Sequence, residues 1–300
     1  MKWQGRQKSR NVNDQRGAGG GGMRMGGRGL AVGGGGLGLI VALVLFLLTG
    51  DPGALLGTGG GAPPAQQVQQ QQQQPYQASS ELEQQLFDYA GVALKDIEDT
   101  WNALLPQYGE QYKEPTLTIY SGAVNTGCGA ANSGVGPFYC TIDQNIYIDL
   151  SFYNTLVTRY GAKQGDFIMA YVLAHEAGHH VQTLLGVTEQ LSQQRQRLAS
   201  GRITQAQYND LSVRYELQAD YLAGVVARHI KEKGYLEQGD LQEAMSAAAA
   251  VGDDAIQMKA QGYVDPDTFN HGTSQQRQTW FQKGFDAGDL SQWDTFDTAI

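Results

Sequence analysis

Apolar residues recur at helical spacing from Leu82 onward: Leu86, Phe87, Tyr89, Ala90, Ala93, Leu94, Ile97 and Trp101. Ser80-Glu81-Leu82-Glu83 ahead of them has the S-x-x-E form of a capping box, and Pro106 closes the run. The pattern then switches to alternation. Thr116–Tyr120 and Asn145–Leu150 are short, β-branched and aromatic, so two strands are expected there, separated by a glycine-rich loop. The second strand is the candidate edge for pairing with an extended peptide. A third pattern covers Gln164 or Asp166 to Leu185, with Gly186 as the stop. Ile168, Val172, His175 and His179 share one face of this segment, and its other faces carry Ala170, Leu173, Ala177, Val181, Phe167, Tyr171 and Ala174. A helix that is apolar all round belongs at the centre of a domain.

Polar helical character returns over Glu189–Ala199, and Gly201 breaks it. A long helix from Gln205 to about Lys233 follows, capped by Thr204, and then one from Leu241 to about Gln261, capped by Asp240. A loop containing His271 leads into a last helix that begins at Thr273 or Ser274 and carries Trp280, Phe281 and Phe285. The expected fold class is α+β, mainly helical, with a small sheet upstream of the central helix.

The front of the chain reads differently. Residues 1–28 hold seven basic residues against Asp14, a net of +6, which leaves −15 on the remaining 272 residues. Residues 29–50 carry no charge and are long enough to cross a bilayer as one helix. The basic residues before that span place residues 1–28 in the cytoplasm, and the body outside it. A cleavable signal peptide is the rival reading. Residues 51–79, rich in Gly, Pro and Gln, form a flexible linker, and residues 80–300 form the folded domain. An acidic body argues against nucleic acid as the partner. In an exported domain the only two cysteines, Cys128 and Cys140, pair as a disulfide, with two free thiols as the alternative.

The chemistry sits on the apolar helix. His175-Glu176-Ala177-Gly178-His179 is an H-E-x-x-H pattern, and residues four apart on a helix share a face. Both imidazoles can then ligate one metal ion, with Glu176 beside it to act on a water. No Lys or Arg lies between Lys163 and Arg195, so Glu176 has no local cation, and a metal would resolve an otherwise costly buried carboxylate. Gly178 is costly in a helix, which points to a neighbour pressed close against it. On the later helix, Glu216 and Asp220 share a face with Ala219, Ala223 and Ala227. Glu216 is the candidate third ligand and Asp220 the acceptor from a ligand histidine; two solvated acids are the alternative. His271 is the candidate donor to a tetrahedral oxyanion, with Arg277 orienting its loop; a surface histidine or a structural cap is the alternative. His180 and His229 are not expected to be ligands.

These three segments, His175–Gln182, Glu216–Gly224 and His271–Arg277, resemble those of the bacterial neutral zinc metallopeptidases. The resemblance extends to Gly136-Pro137-Phe138-Tyr139-Cys140 and to Ile146–Leu150, and covers about residues 80–300 plus the basic front. It implies a zincin-like domain of the gluzincin arrangement, in which a glutamate on a later helix is the third ligand. It is similar as well to the integral-membrane prenyl-protein peptidases, which have a comparable E-x-x-x-D and a later His…Arg loop. The metzincin pattern fails, because Gln182 and Leu185 stand where its Gly and last His would be. The expectation is a zinc-dependent endopeptidase acting on peptide or protein substrates. It would be held by a single-pass anchor on the outer side of a bacterial cytoplasmic membrane. The rivals are a non-catalytic zinc-binding envelope protein, against which the intact Glu176 argues, and a zinc amidase acting on cell-wall peptide.

Overall fold

The computed structural model describes residues 1–17 and 78–300. Helix α1 (Glu81–Leu104) starts at the expected cap, where the Ser80 hydroxyl accepts from the Glu83 amide. It buries Leu94, Ile97 and Trp101 completely or nearly so. Strands β2 (Thr116–Tyr120) and β6 (Asn145–Asp149) run parallel, with Leu117 opposite Ile146 and Ile119 opposite Ile148. Strand β5 (Phe138–Cys140) pairs antiparallel with β6. A separate hairpin of β3 (Ala123–Thr126) and β4 (Gly129–Asn132) sits in the glycine-rich stretch. Asn145–Asp149 is therefore an inner strand, and the expected edge strand is instead β5, because the chain folds back at Asp143–Gln144 and covers the outer side of β6.

The front of the chain departs from expectation. Val12–Gln15 forms strand β1, parallel to β2, so the main sheet runs β1-β2-β6-β5. Residues 1–16 are thus built into the body and are not a separate basic tail. The sequence Val-Asn-Asp-Gln has no strand pattern; it is extended because β2 offers an open backbone ladder beside it. No helix among the described residues is long and apolar enough to cross a membrane. The expected span at 29–50 and most of the expected linker at 51–79 lie outside the described residues.

A short helix α2 (Phe152–Asn154) runs on into a π-turn over Thr155–Arg159. The central helix α3 (Phe167–Leu184) is buried on nearly every side, as its composition requires. Gly186, at φ 80°, ends it and starts the mostly exposed α4 (Val187–Ala199). Helix α5 (Gln205–Glu232) opens on a capping box between Thr204 and Gln207. The helix expected from Leu241 to Gln261 is two, α6 (Asp240–Ala250) and α7 (Asp253–Gln261). The two are separated at Gly252, which is extended (φ −66°, ψ 143°) and lies so close to the backbone of Ser274 that a side chain there would collide with it. Asp240 lies inside α6 and is not its cap, which is Gly239.

Helix α8 (Ser274–Ala287) packs along α5, and α5 packs along α3. The first contact is backbone to backbone. A Cβ on Gly224 would overlap the Phe281 carbonyl, and one on Gly284 would overlap the Tyr221 carbonyl. In the second contact, Gly178 of α3 faces Ala219 of α5, where an added Cβ would lie 3.1 Å from the Ala219 backbone. Small residues at both crossings draw three helices into one layer, with the polar residues of α3 and α5 face to face.

Candidate metal centre and active site

The α3–α5 crossing brings His175, His179 and Glu216 together, and one ligand atom from each lies within 4.8 Å of the others. His175 Nε2 is 3.2 Å from Glu216 Oε2, and His179 Nε2 is 3.6 Å from Glu216 Oε1. Each imidazole is held from behind. His175 Nδ1 lies 2.9 Å from Asp220 Oδ1, an atom that can only accept from it while the carboxylate is ionised. His179 Nδ1 lies 2.8 Å from Gln182 Oε1. The Gln182 amide nitrogen donates to the Tyr215 carbonyl (2.7 Å) and to Gln218 Oε1 (2.9 Å), which turns its oxygen towards His179. Both rings are thus held through Nδ1 and present Nε2 to Glu216, the nitrogen each would offer to a metal ion.

Asp220 is wholly buried and fully engaged. The Tyr171 hydroxyl donates to it at 2.7 Å, and Arg277 grips it through Nε (2.8 Å) and Nη2 (3.1 Å). Arg277 also donates to the Val251 carbonyl at 3.2 Å. Its task differs from the expected one: it binds Asp220 and not the His271 loop. That loop is held by Asp253, the first residue of α7, whose Oδ2 accepts from the backbone amides of Asn270 (2.8 Å), His271 (2.7 Å) and Gly272 (3.0 Å). Its Oδ1 lies 3.2 Å from His271 Nδ1.

The electrostatics favour one positive charge amid the three donors. Burial opposes charge on His175, but Asp220 and Glu216 outweigh it and push its pKa up to about 10. Burial likewise opposes charge on Glu216, yet the two histidines hold its carboxyl well below the usual range. Two imidazole nitrogens and one carboxylate, with two rings fixed by acceptors behind them, are the donor set and support that zinc requires, with room for an open position. Asp220 is held down at about 2, because Arg277 and His175 overcome the effect of burial. Glu176 shifts the other way: burial raises its carboxyl, and the neighbouring histidines offset this only in part. Among the described residues its side chain has no hydrogen-bond partner, and it faces a cavity of about 320 Å³.

That cavity is lined by His175, Glu176, His179, Glu216, His271 and Arg277 on its polar side. Phe138, Tyr139, Phe152, Leu156, Val172 and Ile256 make an apolar wall. The loop from Ser133 to Tyr139 forms its rim, and Cys128–Cys140 is a disulfide with Cα atoms 5.8 Å apart, which anchors β5 to the hairpin. His180 points away from the cavity and bonds Tyr139 Oη and the Lys113 carbonyl; His229 bonds the Gly288 carbonyl. Gln182 and Asp253 were missed in the sequence. Gln182 one helical turn after His179 was a usable signal for the first. Asp253 had none, because the α7 start and the His271 loop meet only in three dimensions.

Fold and site together define a helix-rich α+β protein with a His-His-Glu candidate metal centre. Residues 1–296 match the family described as "putative neutral zinc metallopeptidase", and the chain belongs to that family. It is 46% identical over 300 residues to the uncharacterized protein YpfJ of Escherichia coli (strain K12), covering the whole of both chains. It is 44% identical over 213 residues to the uncharacterized proteins Rv2575 of Mycobacterium tuberculosis (strain ATCC 25618 / H37Rv) and Mb2605 of Mycobacterium bovis, covering 68% of each chain. No solved structure matches it.

Proposed function

We propose that the protein is a zinc-dependent endopeptidase of the gluzincin arrangement, working outside the bacterial cytoplasm on peptide or protein substrates. The observation that carries this is the pairing of a supported His175-His179-Glu216 donor set with a Glu176 that faces the same cavity and has no hydrogen-bond partner among the described residues. A structural site would have no use for that carboxylate. When bound, zinc supplies Lewis-acid polarisation of a carbonyl and lowers the pKa of a water to about 7. Glu176 takes the proton of the attacking water and returns it to the leaving amine nitrogen; its raised pKa suits both transfers. Burial works against a charged His271, but Asp253 outweighs it and favours the imidazolium, which donates to the developing oxyanion from Nε2. Strand β5 is the sheet's edge beside the cavity among the described residues, and it holds the substrate extended. The disulfide supports an oxidising compartment.

The test is zinc stoichiometry and cleavage of a mixed peptide pool by the whole chain and by Glu176→Gln. One zinc per chain in both, with cleavage lost by a factor of about 10² or more in the variant, is the expected result. Stoichiometric zinc without cleavage of any peptide would move the assignment to a zinc-binding envelope protein.

A further inference from the structure

Residues 1–16 sit on the body as a ligand sits on a receptor. The body offers the outer edge of β2 and three buried carboxylates, Asp96 and Glu98 of α1 and Asp240 of α6. Their partners come largely from the arm. Arg6 bonds Asp96, which Lys233 reaches only at 3.8 Å. The Ser9 hydroxyl donates to Glu98 at 2.6 Å, and the Asn11 amide does so at 2.8 Å. The Met1 α-amino nitrogen lies 3.0 Å from Asp240 and 2.8 Å from Asp166, the residue that precedes the metal-bearing helix α3. Lys8 pairs with Asp88, and the Arg6 guanidinium lies over the Tyr235 ring at 3.5 Å. A basic arm thus covers an acidic surface, and its removal strands carboxylates whose partners it supplies.

We propose that residues 1–16 are a latch that shares the body's compartment and fixes the start of the metal-bearing helix, and are not a tail across a membrane from it. The geometry excludes both at once. Paired strands lie about 4.8 Å apart, whereas a bilayer's hydrocarbon core is about 30 Å thick. With β1 docked, residues 1–16 and the body lie on the same face of any membrane. Placing residues 1–16 across a membrane from the body would pull β1 from β2 and take from Asp96, Glu98 and Asp240 the partners that the arm supplies. The latch holds whether or not the site cleaves peptides.

The test uses the full chain in bacterial cells. Asn13 Nδ2 lies 3.4 Å from Thr118 Oγ1 across the β1–β2 pair, so Asn13→Cys combined with Thr118→Cys should form a disulfide there. Single cysteines at exposed Arg10 and exposed Gln193 should react with a membrane-impermeant maleimide from the same face, since Cys128 and Cys140 are already paired. Arg6→Glu in purified protein should lower Tm by about 6–15 °C or abolish folding, while Arg6→Lys retains most of it. Labelling of Arg10→Cys and Gln193→Cys from opposite faces would overturn the proposal. So would failure of the engineered β1–β2 disulfide to form in the double variant, or an unchanged Tm in Arg6→Glu.

Discussion

The pair formed by Arg277 and Asp220 is the most exposed to a quantitative test, because both groups are buried and their bonds can be named. Asp220 is fully buried and Arg277 nearly so. The guanidinium makes a two-point contact with the carboxylate and two further bonds, to the Val251 carbonyl and to the Tyr171 hydroxyl at 3.2 Å. Arg277→Met keeps much of the length of the side chain and removes its charge. It leaves Asp220 as a buried anion with His175 and Tyr171 as its remaining partners, which costs about 3–5 kcal/mol. For a body of this size that corresponds to a fall in Tm of about 6–20 °C. Asp220→Asn/Arg277→Met removes both charges while keeping an acceptor near His175, and it should recover part of the loss. Calorimetry on chelator-treated protein measures stability apart from zinc, and competition with a chromophoric chelator measures zinc affinity. A Tm within about 3 °C of wild type for Arg277→Met would refute the argument that this pair is an interdependent buried unit.

Four further outcomes are expected. Gln182→Leu removes the acceptor behind His179 and should weaken zinc binding about 10–100-fold with the far-ultraviolet circular dichroism unchanged. Gly284→Ala places a methyl group into the Tyr221 carbonyl and should cost more than about 1–3 kcal/mol by denaturant titration, whereas Gly201→Ala, with open space around it, is limited to the strain of its φ of 71°. Reducing Cys128–Cys140 should cost about 2–4 kcal/mol and raise KM more than it lowers kcat, because the bond anchors the cavity rim and not the ligands. Asp253 sets an acid limit: burial raises its carboxyl, but His271 and the backbone amides outweigh this and leave it below 3.8. Its folded pKa is therefore lower than its unfolded one. Its stabilising contribution is present above about pH 4 and is lost as pH falls through the folded value. Asp253→Asn should flatten the acid limb of a Tm-against-pH curve, and an unchanged limb would count against the assignment.

Local pattern carried much of this. The S-x-x-E cap of α1, the all-round apolar α3 and the strands at β2 and β6 are each visible in a short window, because each follows from side-chain periodicity or from a cap bonding to its own helix. The His175, Glu176 and His179 arrangement belongs to the same class, being one face of one helix. The edge strand was misplaced since strand order depends on which segments meet, and Phe138–Cys140 is too short to show alternation. The joint between α6 and α7 was missed because it falls where Gly252 packs against the backbone of Ser274, a residue from another part of the chain, with no room for a Cβ between them. Arg277 could be seen to be special, but its partner could not, since the loop and Asp220 are both within reach of an arginine there.

By itself, the sequence determined the His175-Glu176-His179 face of the candidate metal centre, the buried central helix and the acidic pair on a small-faced later helix, because these are set by residue type and by spacing within one element. Tertiary structure decided what those groups do to one another. It joined Asp220 to Arg277 and Tyr171, held the His179 ring through Gln182, and placed Asp253 under the His271 loop. It also set Val12–Gln15 into the sheet as β1, within a stretch that composition had presented as a tail. The physical reason is the same in each case. A buried polar group needs a partner, and in this protein that partner is usually many residues away in the chain.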